Sequence, residues 1–430
     1  MTITGRVLLL LLAGLVPVVL QPHPLTPWVW TLVVAVAVTI DLLLAPSLGD
    51  LEVTRAGVGS VRLGTGTTSR ILVRNRGSRT VRVLLRDAWQ PTAGATGNRH
   101  ALVVPAGGGA RAVTPLHPRR RGDLRAVGVT LRVRGPLGLA ARQRTLDVPG
   151  AVRALPAFDS RKHLPSRLAR LQELDGRSAL RVRGQGTEFD SLREYVRGDD
   201  VRSIDWRASA RTRNVVVRTW QPERDRRVVV VLDTSRTSAG RVADVPRLDS
   251  AMDAALLLAA LASRAGDRID FLAGDRLVRR RLRIPGGANV VHPLSEAMAD
   301  LGSVIAEADW RTIASGVQEL GRRRALVVLL TPLEPASIEE GLLPVLPTLT
   351  RHHRVVVASV RDPALDALAA DRSSVDAVYT AVAAEQATAR RHATADLLRA
   401  LGADVLDTDA ERLPPALADH YLGLKARGLL

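Results

Sequence analysis

A continuous apolar strand constrains the fold of this 430-residue chain more than any other feature. Residues 227–232 read RVVVVL, a pattern that is apolar on both faces and typical of strands inside a parallel sheet covered by helices. Downstream, apolar strands alternate with helical patterns, among them a helix expected over residues 290–307. This alternation predicts an α/β domain with a doubly wound, Rossmann-like sheet over residues 226–430.

Oxygen-bearing side chains follow this strand directly. Asp233, Ser235 and Thr237 are spaced two residues apart, at the strand end where open parallel sheets bind their ligands. Carboxylate and hydroxyl oxygens suit a hard cation such as Mg²⁺. The same residue types also cap helices in ordinary strand-to-helix turns, so the spacing leaves both interpretations open.

A ladder of acids and arginines precedes the strand, inside a connecting segment over residues 158–225. Between residues 184 and 218, six acids are interleaved with seven arginines. Because arginine pairs with carboxylate through two parallel hydrogen bonds, the ladder predicts a clamp of ion pairs that holds the segment while its aromatic residues are buried.

Two alternatives to the clamp stay open: a carboxylate pair for acid–base chemistry, or arginines that bind an acidic partner. The residues of this structural or partner-binding motif are Glu188, Arg193, Glu194, Tyr195, Gly198, Asp199, Asp200, Arg202, Asp205, Trp206 and Arg211.

Two apolar runs predict a membrane anchor at the N-terminus. Residues 7–20 and 28–45 each approach the roughly 20 residues that cross a hydrocarbon core, which predicts a two-helix transmembrane hairpin over residues 1–47. The linker between them has no formal charge, whereas Arg6 precedes the first run and Arg55 and Arg62 follow the second. The positive-inside rule therefore places both termini and the soluble domains in the cytoplasm. A cleaved signal peptide is disfavoured, because no small-x-small cleavage site follows the first run.

Short alternating runs separated by glycine and proline fill residues 48–157. In RILVRN and TVRVLL, apolar and polar residues alternate with a period of two, which indicates strands with one buried face. Seven runs of this kind predict a small β-sandwich with its arginines on the solvated face.

Composition narrows the classes of function. The formal net charge is +18, and lysine occurs only at Lys162 and Lys425. Because the arginines are spread among acids rather than gathered in a basic arm, nucleic-acid binding is disfavoured and a lipid bilayer is the expected non-protein partner. The absence of cysteine excludes disulfides and thiolate metal sites. No GxxxxGK[ST], GxSxG or HExxH motif occurs, so nucleotide, serine and zinc hydrolysis lack support.

The central motifs resemble the bacterial domain-of-unknown-function 58 (DUF58) family. They are GxGxEF at 184–189, REYxxGDD at 193–200, RxIDW at 202–206, AR at 210–211 and the DxSxT strand end. The resemblance extends to residues 119–139 and to the N-terminal hairpin, and so covers nearly the whole chain. It implies a sheet of the von Willebrand factor A (vWA) type, no established enzymatic activity, and a MoxR-type AAA+ ATPase as partner in a chaperone-like or assembly system.

The resemblance also implies where a complete vWA metal site would draw its other ligands. One is a threonine from a GGTN-like loop, but residues 286–289 read GGAN, with Ala288 in its place. The other is an aspartate after a threonine, but Pro332 follows Thr331. Thr331 and Glu334 are the remaining candidates to complete the site. We therefore expect no cofactor, with Mg²⁺ as the one alternative.

Two functions follow. The first is a membrane-anchored, non-enzymatic protein-interaction scaffold whose cytoplasmic vWA-like domain works with a MoxR-type AAA+ ATPase. The alternative is a metal-assisted hydrolase that uses Asp233 with Asp199 or Asp200.

Overall fold

The computed structural model describes residues 2–181, 188–197, 199–212, 214–221, 226–321 and 323–430, although it leaves the side chains of 175–181, 188–191, 212 and 219–221 undescribed. The chain divides into two compact units, Met1–Leu155 and Pro156–Leu430.

The first unit contains three α-helices and ten strands among its described residues. They are β1 (Thr2–Ile3), α1 (Gly5–Ala13), α2 (Leu15–Leu20), α3 (Thr26–Leu44), β2 (Leu51–Arg55), β3 (Ser60–Arg62), β4 (Thr67–Asn75), β5 (Val81–Trp89), β6 (Arg99–Val104), β7 (Gly109–Leu116), β8 (Gly122–Arg134), β9 (Ala140–Leu146) and β10 (Ala151–Leu155). Strands β2, β4 and β7 form one sheet, and the other seven form a second.

The inner faces of these two sheets share one core. Ile71 and Val73 of β4 pack with Leu85 of β5 and Leu131 of β8, and all four side chains are buried. Along β4 and β5, buried and exposed residues alternate. The period-two pattern predicted from the sequence is therefore confirmed for these strands, because side chains on a pleated strand point alternately to the two faces.

A buried ion pair lies within this sandwich. The Arg55 guanidinium donates to Asp87 at 2.8 Å, and the two side chains are 1% and 0% exposed. Arg55 also donates to the Ser69 hydroxyl and lies over the ring of Trp89, 4.9 Å from its centroid. The two buried charges thus compensate each other, as burial of charge requires.

One described helix, Thr26–Leu44, is long and apolar enough to cross a membrane, with a mean hydropathy of 2.0 over its best window. The other apolar run forms the shorter α1 and α2, which are separated at Gly14. The two runs pack together there, since a side chain at Gly14 would collide with Trp30. One helix of sufficient length is therefore present, and the predicted hairpin of two spans is not confirmed.

The C-terminal end of α3 is tied to the loop between β8 and β9. Asp41 is fully buried, and its carboxylate accepts hydrogen bonds from the backbone N–H groups of Leu137, Leu139 and Ala140 at 2.6, 2.7 and 2.7 Å. In addition, β1 pairs with β9. The apolar helices and the sandwich are therefore parts of one compact unit.

The second unit alternates strands and helices along the chain. Its elements are α4 (Leu164–Arg181), β11 (Glu188–Glu194), α5 (Trp206–Thr212), β12 (Val216–Gln221), β13 (Arg227–Asp233), β14 (Arg241–Val242), β15 (Val245–Pro246), α6 (Arg247–Arg264), β16 (Arg268–Gly274), β17 (Val278–Ile284), α7 (Val291–Ala299), α8 (Trp310–Leu320), β18 (Leu326–Leu330), α9 (Pro335–Ser337), α10 (Leu346–Thr350), β19 (Arg354–Val360), α11 (Ala364–Ala370), α12 (Val375–Ala400), β20 (Ala403–Thr408) and α13 (Leu413–Ala426).

Six of these strands form a sheet in the order β17-β16-β13-β18-β19-β20. All neighbours are parallel except β16 and β17, which are antiparallel. Apolar clusters cover both faces, one with α6 and α13 and the other with α8 and α12. The chain starts the sheet in its middle at β13, builds outward to β17, and then returns to add β18 on the other side. The predicted doubly wound α/β sheet is thus confirmed, with its topological switch point between β13 and β18.

Candidate functional site

Asp233 lies at the carboxyl end of β13, beside the switch point, where the sequence predicts a ligand-binding edge. Its carboxylate accepts a hydrogen bond from the hydroxyl of Thr331 at 2.7 Å and another from the backbone N–H of Ser235 at 2.7 Å. Thr331 directly follows β18. The two strands that flank the switch point are therefore joined through this carboxylate.

The predicted hydroxyl ligands complete the cluster. The hydroxyl oxygens of Ser235 and Thr237 lie 3.0 Å apart, and Thr237 Oγ1 lies 3.5 Å from Asp233 Oδ2. Asp233 is only 1% exposed. Burial has the largest influence on its pKa and raises it, whereas the hydrogen bonds from Thr331 and Ser235 act in the opposite direction. We call these four residues the Asp233 cluster.

Glu334 does not join the cluster as a ligand. Its carboxylate accepts a hydrogen bond from Arg247 at 2.8 Å, and Arg247 is the first residue of α6. The cation that neutralises this acid is thus a side chain of the protein itself.

The assignment of residues 286–289 to a metal-binding loop is wrong. A side chain at Gly286 would collide with the carbonyl of Gly266, and the Ser263 hydroxyl at the end of α6 donates to the carbonyl of Ala288 at 2.6 Å. Gly266 and Ser263 both precede β16 in the chain, so these contacts lie at the edge of the sheet where the parallel strands begin. The reason is that β17 runs antiparallel, so that the loop after it returns to the edge opposite Asp233.

A different loop lies beside the Asp233 cluster. The backbone N–H of Val304 donates to the carbonyl of Thr234 at 2.9 Å, and the N–H of Arg236 donates to the carbonyl of Ala306 at 2.8 Å. Residues 304–306 read VIA and bring no threonine to the site. These residues were predicted to lie in a helix over residues 290–307, but in the structure that helix ends at Ala299.

The donor set of the Asp233 cluster does not fit Mg²⁺. The cluster offers one carboxylate and three hydroxyls, which already bond to one another and to the backbone. Among the described residues, no group of three or more histidines or acids is arranged to hold a metal ion. Mg²⁺ demands near-octahedral oxygen coordination, and here it would have to replace these hydrogen bonds with the help of a single negative charge.

The acid–arginine segment contains the ion pairs that the clamp requires. Strands β11 and β12 form an antiparallel hairpin. Arg193 donates to both carboxylate oxygens of Asp199, at 2.8 and 2.5 Å. Arg218 donates to Asp205 at 2.9 Å. The pKa of Asp205 is lowered most by the hydrogen bond from the N–H of Ala208 and next by the hydrogen bond from Arg218, because both stabilise its charged form.

Three carboxylates of this segment, one of them the ion-paired Asp205, also accept hydrogen bonds at local caps and turns. Asp200 accepts a hydrogen bond from the N–H of Arg202 at 2.9 Å. Asp205 accepts from the N–H groups of Arg207 and Ala208 and so starts α5. Glu194 accepts from the Asn214 amide at 2.7 Å. These carboxylates thus hold the backbone of the segment in place.

The aromatic residues behave differently from the expectation. Trp206 is 68% exposed and Tyr195 is 37% exposed, so the expected burial is wrong for both side chains. Trp206 is the first residue of α5, and the cap at Asp205 fixes this helix start without drawing the indole into a core. The guanidinium of Arg211 is exposed on the same helix. The Glu188 side chain and Gly198 lie outside the described part of the chain.

Arg391, which the sequence analysis did not identify, links the ends of three strands. It lies on α12 and donates to both oxygens of Asp407 on β20 at 2.7 Å. It also donates to the Ser359 hydroxyl at 2.7 Å and to the carbonyls of Leu333 and Val360 at 3.4 and 3.2 Å. An arginine in an alanine-rich helix gives no signal of this role in the sequence.

Comparison with known proteins relates this geometry to a family. Residues 191–396 match the family described as "Protein of unknown function DUF58". Uncharacterized proteins of Mycobacterium bovis and Mycobacterium tuberculosis are 25% identical to the chain over 266 residues, which is 58% of this chain and 83% of theirs.

Two solved structures are similar to part of the chain. The VWA domain of SpRpn10 is 10% identical, with a TM-score of 0.27, and the match covers 45% of this chain and 94% of that domain. A conserved hypothetical protein, BatB of Bacteroides thetaiotaomicron, is 12% identical, with a TM-score of 0.29, over 47% of this chain and 99% of its own. These likenesses are too weak to carry an argument, so the fold is defined by the strand order described above. The resemblance found in the central motifs is confirmed by the family match, which covers residues 191–396 of this chain.

Proposed function

We propose that the chain is a membrane-anchored, non-enzymatic protein-interaction scaffold that works with a MoxR-type AAA+ ATPase in a chaperone or assembly system. The vWA-like α/β unit binds the protein partner. Helix α3 crosses the bilayer, α1 and α2 together form the second crossing, and both termini and the soluble domains are cytoplasmic. Binding needs no metal ion.

The closed Asp233 cluster is the observation that carries this proposal. An open α/β sheet binds ligands and performs chemistry at the carboxyl ends of its strands, next to the switch point. In this chain that position is filled by Asp233, Ser235, Thr237 and Thr331, which satisfy one another and are almost fully buried. A reaction requires groups that substrate can reach, whereas a scaffold requires only a stable surface.

The hydrolase alternative gains no support from these contacts. It requires Asp233 together with Asp199 or Asp200. Asp199 is bonded through both carboxylate oxygens to Arg193, and Asp200 caps a turn through the N–H of Arg202. The described hydrogen-bond partners of Asp233 include neither acid.

The exposed surface of α3 supports the membrane anchor. Only 11% of its most apolar window is buried within the protein. Leu32 and Leu43 are among its exposed side chains, and Trp28 is exposed near its start. Apolar side chains without a protein neighbour suit contact with lipid tails, and tryptophan prefers the interface between lipid and water.

The two-span topology can be tested by cysteine labelling, because the chain has no native cysteine. Single-cysteine variants at His23, between the two apolar runs, and at Leu430 are expressed in intact cells and treated with a membrane-impermeant maleimide. We expect labelling of His23→Cys in intact cells and of Leu430→Cys only after permeabilisation. Labelling of both from the same side would contradict the crossing by α3, and labelling of a Thr2→Cys variant in intact cells would contradict the second crossing by α1 and α2.

The partnership is tested with a MoxR-type ATPase purified from the same organism. The full chain in phosphatidylcholine nanodiscs is mixed with the ATPase in the presence of a non-hydrolysable ATP analogue, with and without EDTA. We expect a complex of the two proteins that EDTA leaves intact when it is added after nucleotide binding. Failure to form a complex in any nucleotide state would refute the proposed partnership.

A further inference from the structure

We infer that the acid–arginine segment presents a docking surface for an acidic region of a partner protein. The inference rests on the proposed function and specifies the chemistry of the partner. The surface, which we call the tryptophan–arginine surface, comprises Val196, Arg197, Val201, Arg202, Trp206, Arg207 and Arg211.

Three exposed apolar side chains mark this surface. Val196 is 62% exposed, Val201 is 63% exposed and Trp206 is 68% exposed. A single exposed apolar residue is ordinary on a protein surface. Here three exposed apolar residues occur within eleven positions of the chain, which is an unusual density. Tryptophan is also among the residues that contribute most binding energy at protein interfaces.

An exposed arginine follows each of these apolar residues directly. Arg197, Arg202 and Arg207 are all exposed, and Arg211 lies four residues after Arg207 on α5, hence on the same side of that helix. Among the described residues, no carboxylate forms a salt bridge with any of these four guanidinium groups. The positive charge of the surface is therefore available to a partner.

The nearby acids do not neutralise this charge, because they have other partners. Asp199 binds Arg193, Asp205 binds Arg218, and Asp200 accepts a backbone N–H. Acids and arginines that alternate in the sequence therefore have different positions in the structure. The described acids bond within the segment, and four arginines are exposed. Such a surface is complementary to a negative one.

The same internal bonds hold the surface in shape before binding. The caps at Asp200 and Asp205 fix the turn before Arg202 and the start of α5. Val216 and Val217 of β12 are buried and anchor the segment from beneath. A surface ordered in advance loses little conformational entropy on binding, which favours affinity.

The arrangement fits a protein better than a lipid surface or a nucleic acid. Helices that bind membranes segregate apolar and basic residues onto opposite faces. Here apolar residues and arginines alternate in the chain, so that burying Val201 or Trp206 in lipid would carry Arg202 or Arg207 with it. A nucleic acid would pair with the arginines but leave the valines without an apolar partner. An acidic protein surface with an apolar cleft satisfies both kinds of side chain.

The probe for this test is a fluorescent helical peptide that carries glutamates on one face and a leucine stripe on the other. The full chain, in phosphatidylcholine nanodiscs, is titrated with this peptide while its fluorescence anisotropy is followed. A second peptide with lysine in place of each glutamate is the charge control. We expect binding of the acidic peptide that weakens steadily as salt is raised, and no binding of the basic peptide.

Matched variants locate the binding site. Reversal of Arg197, Arg202, Arg207 and Arg211 to glutamate is expected to weaken binding at least tenfold, and Trp206→Ala about fivefold or more, as for interface hot spots. The control reverses four exposed arginines elsewhere in the same unit, namely Arg264, Arg276, Arg351 and Arg390. This control should stay within about twofold of the wild type, since distant rim charges contribute little. Circular dichroism establishes that each variant is folded.

The inference is overturned if both quadruple variants weaken binding equally, because the effect is then one of net charge. It is also overturned if phosphatidylglycerol vesicles or a duplex DNA bind more tightly than the acidic peptide and depend on the same four arginines. Failure of the proposed partnership is a separate outcome. If the peptide binds at this surface while the ATPase forms no complex, the docking surface is supported and the partnership is refuted. An ATPase complex that survives both the quadruple reversal and Trp206→Ala would place partner binding elsewhere and remove the inference alone.

Discussion

Replacing Arg391 with methionine tests how the carboxyl edge of the sheet is held together. The Arg391 and Asp407 side chains are only 7% and 12% exposed. Methionine preserves most of the length of the arginine but removes its charge and its donors. The substitution would therefore leave the Asp407 carboxylate buried without its cation, and the Ser359 hydroxyl would keep only the N–H of Leu333 as a donor.

The size of the effect follows from that unpaired carboxylate. Removal of one partner from a buried ion pair costs about 3–5 kcal/mol, because the remaining charge has lost its compensation. The hydrogen bonds to the carbonyls of Leu333 and Val360 are lost as well. We expect Arg391→Met to lower the free energy of unfolding of the α/β unit by about 3–5 kcal/mol.

Two further variants isolate the cause. Arg390 is the neighbouring, exposed residue of α12, and Arg390→Met should change stability by no more than about 0.5 kcal/mol. The double variant Arg391→Met, Asp407→Leu removes both charges. It should regain most of the loss, because replacement of a whole buried pair by apolar residues is often neutral.

Urea unfolding of the full chain in detergent, followed by tryptophan fluorescence, measures these differences. Trp310 is buried in the apolar cluster that also contains Ala395 and Leu398 of α12, so its emission reports on this unit. The midpoint should fall for Arg391→Met at an unchanged slope. The reasoning is refuted if Arg391→Met is as stable as Arg390→Met, or if the double variant is no more stable than the single one.

Three other outcomes are expected. A ligand present at a hundred times its Kd would stabilise the fold by about 2.7 kcal/mol. We expect Mg²⁺ to give no such stabilisation, so the Tm should be the same in Mg²⁺ and in EDTA. A higher Tm in Mg²⁺ that the Asp233→Asn variant lacks would show that the metal site exists. Arg55→Met should destabilise the sandwich by about 3–5 kcal/mol by leaving Asp87 unpaired, as measured by thermal unfolding, with Arg55→Met, Asp87→Leu as the control that recovers stability. Asp309→Ala removes the cap of α8 and should cost about 1 kcal/mol at neutral pH. The Thr312 hydroxyl and neighbouring N–H groups lower the pKa of Asp309, so the cap stabilises above the unfolded-state pKa. The gap between wild type and Asp309→Ala in urea unfolding should therefore close as the pH falls through the lower, folded-state pKa, and a gap that persists in acid would refute this assignment.

Local patterns in the sequence predicted much of the α/β unit. The apolar run at residues 227–232 does form a central strand with neighbours on both sides. Because parallel strands end at the same edge, the position of Asp233 at the carboxyl end followed from the same run. These features depend on hydrophobic periodicity and chain direction alone, which a sequence displays directly.

The errors arose where the outcome depends on the direction of a distant strand or on what packs nearby. The GGAN loop was misplaced because the antiparallel course of β17 is a tertiary feature, which no local pattern reveals. The exposure of Trp206 was missed for a related reason: an aromatic residue is buried only if another element covers it. The role of Arg391 requires three strand ends to converge on one guanidinium, and no spacing in the sequence encodes that meeting.

The pairing of carboxylates with arginines bears on both the Asp233 cluster at the carboxyl edge of the sheet and the tryptophan–arginine surface. Glu334 and Asp407 each bind an arginine from another element of the fold, and Asp199 binds Arg193 within its own segment. An acid held in this way cannot also ligate a metal or accept a proton from substrate without breaking the pair. The chain has 61 basic residues against 43 acidic ones, so internal pairing consumes acids sooner than arginines. A fold built on such pairs therefore leaves a surplus of guanidinium groups at its surface, and this surplus is the basis of the proposed recognition of an acidic partner.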